Sequence, residues 1–178
     1  MTNTPDPTHI LQALIRCPSV TPQEAGALDC LENLMVPGGF SASRMPFTEQ
    51  GTPDVDNLFL RIGADGPHFC FAGHVDVVPP GADELWSHPP FAAEIHNGII
   101  FGRGACDMKG FVALAVNAAA RAATGNLRRP LSLILTYDEE LGTLGAGHFV
   151  KSWPTEKPLP RRVIVGEPTS LRAVRLHK

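Results

Sequence analysis

A small set of ionisable residues stands directly behind short apolar runs, and their types suit metal chemistry. His74 and Asp76 follow Phe69-Cys70-Phe71-Ala72-Gly73, and Glu139 and Glu140 follow Leu133-Ile134-Leu135-Thr136-Tyr137-Asp138. Glu167 follows Val163-Ile164-Val165-Gly166, and Asp107 comes after Gly102-Arg103-Gly104, a turn flexible enough to carry a carboxylate to the same rim. Carboxylates collected at one edge of a sheet repel one another unless a cation sits among them. One imidazole with several carboxylates suits zinc, manganese or cobalt better than magnesium or an iron–sulfur cluster. Each piece alone has an ordinary explanation. A histidine after a strand is usually a hydrogen-bonded core residue, an aspartate opening a helix is usually a cap, and adjacent glutamates usually form a solvated face. Glu167, before Pro168, would pass as a loop residue. Their coincidence at three strand ends and one helix start points to a site.

The elements that must position these residues can be read from periodicity. In residues 9–16, Ile10, Leu11, Leu14 and Ile15 share one helical face. Thr21-Pro22, with Glu24 three residues after Thr21, reads as a capping box for a second helix running through Leu28, Leu31 and Leu34 to Gly38-Gly39. Residues 57–62, 68–73, 131–137 and 162–166 read as strands, the last three continuously apolar, as strands buried on both faces are. A helix is expected from Asp107 through residue 123, and a weaker one over 142–152. Residues 153–160, with three prolines, read as a loop. Strands alternating with helices predict an α/β layered domain, a mostly parallel central sheet flanked by helices. In such sheets ligands bind at the carboxyl ends of the strands.

Composition narrows the class. The net charge of −3 offers no basic footprint, so nucleic acid is not expected as a partner. Apolar stretches break well short of the roughly 20 residues that span a bilayer, so no membrane role is expected. The first nine residues lack a basic and apolar leader pattern, which favours the cytoplasm. Cys17, Cys30, Cys70 and Cys106 form no C-x-x-C pair and are expected to be reduced and mostly buried.

Four motifs then carry a resemblance: Gly73-His74-Val75-Asp76-Val77-Val78-Pro79, Gly102-Arg103-Gly104-Ala105-Cys106-Asp107-Met108-Lys109-Gly110, Asp138-Glu139-Glu140 and Gly166-Glu167-Pro168-Thr169. In order and approximate spacing the sequence resembles, over essentially its whole length, the acetylornithine deacetylase and succinyl-diaminopimelate desuccinylase family of dinuclear zinc amidohydrolases. The resemblance implies a zinc-peptidase-like fold and two zinc ions in a complete site. It makes His74, Asp107, Glu140 and Glu167 metal ligands, with Asp107 bridging. Glu139 becomes the general base and Asp76 the carboxylate that orients the imidazole. It implies a small N-acyl amino acid as substrate, and homodimers among family members. Residues 1–178 are expected to be the N-terminal part of the catalytic domain, without the lid or dimerisation domain, the second histidine ligand or the lid's oxyanion-stabilising histidine. The isolated chain is then expected to be inactive.

Within the family the signals divide. Residues 14–22 and 71–81 look more like desuccinylases. Residues 136–142, 106–111 and 165–169, with His177-Lys178, look more like acetylornithine deacetylases, and the sequence leans that way because these marks surround the base and ligands. A dipeptidase or aminoacylase, a metal-binding fragment without catalysis and a metal-free α/β binding domain are the competing readings. His9, His68, His88, His96, His148 and His177 lie outside the motifs and read as surface or packing residues, His148 being the leading exception because it follows the glutamate pair.

Overall fold

The computed structural model describes residues 4–48, 54–170 and 172–173. Helix α1, Pro7–Ile15, starts where Asp6 accepts a hydrogen bond from the Thr8 amide and Pro7 fills the first helical position. It buries Ile10, Leu14 and Ile15. Helix α2, Ala27–Met35, begins later than the capping box predicts. The Thr21 amide is drawn away to the Val77 carbonyl at 3.1 Å. Glu24 supplies the cap instead, its carboxylate accepting from the amides of Gly26 and Leu28.

The strands are β1 (Ser41–Phe47), β2 (Val55–Ile62), β3 (Phe69–His74), β4 (Glu94–His96), β5 (Ile99–Phe101), β6 (Leu131–Thr136) and β7 (Arg162–Val165). The central sheet has the order β1-β2-β6-β3-β7, with β4 and β5 forming a separate antiparallel pair. Strands β6, β3 and β7 are parallel, whereas β2 and β1 run antiparallel at the other side. The α/β layering is as the sequence predicts, but the parallel character is confined to these three strands. It is there that the carboxyl ends must align: His74 is in register with Thr136, and Ala72 with Val165.

Helix α3, Gly110–Ala123, and helix α4, Leu144–Lys151, complete the layers. Alternation along β2 sorts the two faces. Leu58 and Leu60 join Leu14, Leu28, Leu31, Val112 and Val116 in the main core. Phe59 points the other way, towards Phe149 of α4. No regular element lies between α4 and β7, in agreement with the proline-rich loop. No helix among the described residues is long and apolar enough to cross a membrane. All four cysteines are free, but burial is uneven: Cys70 is buried, Cys17 and Cys30 half-buried, and Cys106 exposed.

β7 departs from the expectation of a strand buried on both faces. Among the described residues it pairs only with β3, and Val163, Ile164 and Val165 are all exposed. An apolar strand with an open edge is a template for pairing with another chain. The chain is therefore expected to self-associate with rising concentration, and Ile164→Lys to reduce that association. Sedimentation velocity over a concentration series checks this; an unchanged monomer at every concentration would contradict it.

Candidate metal centre

β3 delivers His74 to the end of the sheet and buries its side chain almost completely. Its Nδ1 lies 3.0 Å from the Asp76 backbone carbonyl, which can only accept, so Nδ1 carries the proton. The Asp76 carboxylate stands behind, with Oδ1 3.4 Å from Nδ1. Fixing the proton on Nδ1 leaves Nε2, aimed outwards, as the nitrogen that can give up its proton to a metal. Nε2 faces Asp107 Oδ1 at 3.2 Å, Glu167 Oε1 at 3.7 Å and Glu139 Oε2 at 3.8 Å.

Each carboxylate arrives by a different local device. Asp107 does not open a helix, as the sequence reading has it. It sits at φ −123°, ψ 99° within the irregular turn Ala105–Lys109, and α3 starts only at Gly110. Its extended backbone turns the side chain towards His74 rather than along a helix. Gly104 makes the approach possible: its φ is +80°, and a Cβ there would sit 2.6 Å from Val77 Cγ1. Beyond β6 the chain reverses at Asp138, φ 55°, and the Glu139 carbonyl accepts from the amides of Gly142 and Thr143. This turn brings both glutamates back over β3. The Glu140 amide donates to Asp76 Oδ2 at 3.2 Å, so Asp76 links His74 to the glutamate turn. Glu167 comes two residues past the end of β7.

Ligand atoms fall into two groups that share His74: His74 with Asp107 and Glu167, and His74 with Glu139 and Glu140. All six residues singled out in the sequence are thus brought to one place. His148 is not: it stacks on Phe47. His68 is a packing residue, buried beside Phe59 and Trp153. His9 is exposed, and His177 lies outside the described residues.

The electrostatics are those of crowded negative charge. Burial lowers the affinity of His74 for a proton, but the hydrogen bonding and charge of Asp76, with the charge of Glu139, outweigh it and push the imidazole up to about 9. Burial first, then Asp107, Glu139 and Asp76, push Glu140 up, against the opposing pull of His74. Asp76 Oδ1, fully buried, has no hydrogen-bond partner of good geometry. A centre in which anions raise one another's proton affinity accepts a divalent cation readily. An imidazole nitrogen ringed by carboxylate oxygens also fits a borderline metal.

Two supports of the centre carry no signal in the motif reading. Lys109 is fully buried, and its ammonium donates to the Leu14 and Cys17 carbonyls at 2.8 Å each. Burial pushes it down to about 8, against the charges of Cys17 and Asp76. Ser19 Oγ donates to the Val75 carbonyl at 2.6 Å, and the Val77 amide donates to the Ser19 carbonyl. The chain leaving α1 therefore holds both segments that carry site residues, 75–77 and 107–109. Lys109 stands in the Gly102–Gly110 motif with no mark of its burial, and nothing in the sequence marks Ser19. Beside the carboxylates a cleft of about 680 Å³ opens, walled largely by apolar groups such as Met108, Trp153, Val163 and Val165.

Residues 70–177 match the sequence profile of peptidase family M20/M25/M40. The chain belongs to that family. A succinyl-diaminopimelate desuccinylase of Parvibaculum lavamentivorans is 49% identical over 167 residues, covering 93% of this chain and 42% of the relative. Another, from Rhodopseudomonas palustris, is 45% identical over 178 residues, covering 98% of this chain and 46% of the relative. The chain thus spans under half the length of these family members. The M20 family metallo-carboxypeptidase Sso-CP2 from Sulfolobus solfataricus superposes with a TM-score of 0.72 at 22% identity, over 91% of this chain and 37% of that one. At that identity the likeness concerns the fold. The lean towards acetylornithine deacetylase is not supported, since these relatives fall on the desuccinylase side.

His74→Ala is expected to abolish high-affinity zinc uptake at this centre while leaving the circular dichroism spectrum intact. Elemental analysis after dialysis against trace zinc measures it. Zinc bound through His74 and its carboxylates would be the fraction lost, and an unchanged stoichiometry would remove His74 from the centre.

Proposed function

We propose that residues 1–178 carry the metal-binding part of a zinc-dependent amide hydrolase acting on an N-acyl amino acid, with N-succinyl-diaminopimelate as substrate. The observation behind this reading is the convergence of Asp107, Glu139 and Glu167 on His74 Nε2. The substrate rests on the relatives named desuccinylase at 45–49% identity. In this reading His74, Asp107, Glu140 and Glu167 would hold zinc, for which cobalt or manganese can substitute. The chemistry that zinc supplies in such a donor set is acidification of a water molecule and polarisation of an amide carbonyl.

The remaining work belongs to the side chains. Glu139, a quarter exposed beside the cleft, takes a proton from water on its carboxylate and returns it to the leaving nitrogen. Asp76 positions His74 by accepting its Nδ1 proton at the backbone carbonyl, with its own carboxylate behind the ring. Both glutamates bring a carboxylate oxygen within 4.8 Å of a His74 ring nitrogen, and in this reading Glu140 holds zinc while Glu139 moves the proton.

A second reading, metal binding without turnover by these residues alone, is favoured by one observation. Among the described residues, His74 is the one imidazole in either ligand group. Complete activity would then need residues from a longer chain, matching the coverage of the relatives at 42–46%.

In an active, longer form, Glu139→Ala is expected to retain zinc while turnover of N-succinyl-diaminopimelate falls by about 10²–10⁴-fold. Glu140→Ala is expected to lose zinc. Steady-state kinetics beside metal analysis separates them, with N-acetylornithine and a dipeptide as competing substrates. Identical behaviour of the two variants would overturn the division of roles, and faster turnover of N-acetylornithine would overturn the substrate.

A further inference from the structure

Two histidines that read as surface residues in the sequence meet at a second place, on the segment between Asp76 and Asp107. β4 and β5 form a tight hairpin through Asn97-Gly98, both with positive φ, and Glu94 and His96 lie on one face of β4. His88, from the preceding loop, comes over the same face. Its Nδ1 lies 2.7 Å from Glu94 Oε2, and His96 Nε2 lies 3.2 Å from that same oxygen. The two rings stack with centroids 4.3 Å apart, and His88 also packs on Phe101 of β5 at 4.1 Å.

A carboxylate needs only one imidazole for an ion pair, and two imidazolium charges in a stack repel one another. Neutral imidazoles, by contrast, present lone pairs that a cation takes up. Hydrogen bonding from His88, then His96, holds the Glu94 carboxyl below its ordinary value, so the third group is an anion. In a tetrahedral zinc site with bonds of about 2.1 Å, ligand atoms stand about 3.4 Å apart. The three atoms here already lie within 4.8 Å of one another. The hairpin, the ring stack and Phe101 hold them so before any ligand arrives.

We propose that His88, Glu94 and His96 form a second metal site, taking a borderline divalent transition metal such as zinc or nickel, with water in the remaining position. Two imidazoles and one carboxylate select such ions over magnesium or calcium. The site staples the loop before β4 to the hairpin. β5 runs directly into Gly102-Arg103-Gly104, so the staple also braces the approach to Asp107.

The test uses the full chain with His74 replaced by Ala, which disables the first centre, and titrates zinc by equilibrium dialysis. One zinc equivalent is expected to remain, and His96→Gln to weaken it by about tenfold or more. Adding His88→Gln should remove it. His96 is 54% exposed, so its replacement does not threaten folding. In the unaltered chain, paramagnetic cobalt should shift the ring protons of His88 and His96 together. Residual zinc binding insensitive to both substitutions, or no residual binding and no shifted ring protons, would overturn the proposal. Loss of zinc in His88→Gln/His96→Gln with His74 intact, down to the equivalent held at His74, would support it independently of the first centre.

Discussion

A buried imidazole offers a lone pair to a site only if its other nitrogen is committed elsewhere, and in this protein that commitment is the Asp76 backbone carbonyl. Because a carbonyl cannot donate, the tautomer of His74 follows from the path of the main chain. Asp76 then acts twice more, its carboxylate lying behind the ring and taking the Glu140 amide. One residue thus sets the direction of Nε2, adds negative charge beneath the imidazole and tethers the glutamate turn. Asp107, Glu139 and Glu167 converge on a nitrogen whose orientation is already decided.

What keeps that arrangement in place is a second contact layer, centred on the exit from α1. Ser19 clamps residues 75–77, its hydroxyl and carbonyl bonded to both sides of Asp76, and the Thr21 amide adds a bond to the Val77 carbonyl. Lys109 ties residues 107–109 to the same place, its ammonium reaching two carbonyls near the carboxyl end of α1. Cations are favoured there by the helix dipole as well as by the hydrogen bonds. Gly73 closes the gap between the two segments: a Cβ on it would lie 2.9 Å from Met108 Cε, and Met108 sulfur accepts the His74 amide. The first strand end and the turn carrying Asp107 therefore pack as one unit.

The parallel strands and their acidic ends were legible because apolar runs terminating in His or Asp/Glu combine two independent signals, burial and chemistry. Asp107 lies beside His74, but by a different route from the one the pattern predicts. Sequence pattern takes an acidic residue before an apolar helix as its first residue, whereas Asp107 lies in an extended conformation in the irregular turn that follows Gly104. The capping box at Thr21 failed because a tertiary hydrogen bond to Val77 outcompeted the local cap. β1 went unread because it is an edge strand of alternating polar residues containing Pro46, a composition suited to an edge and poor in burial signal. The β4–β5 hairpin did have a signal, Asn97-Gly98, and with it the pairing of His96 and Glu94 on one face. The meeting of His88 with them depends on a loop path that no spacing rule encodes.

The central claim is that the negative charge around His74 Nε2 is balanced by a metal ion, with Nδ1 remaining protonated. Nitrogen-15 NMR of the His74 ring during zinc titration tests it most directly. Before zinc, an imidazole raised to about 9 carries protons on both nitrogens at neutral pH. On zinc addition Nε2 is predicted to lose its proton and shift to the metal-bound range, while the Nδ1 proton stays on its nitrogen, hydrogen-bonded to the Asp76 carbonyl. A ring whose two nitrogen shifts are unchanged at saturating zinc would contradict the account.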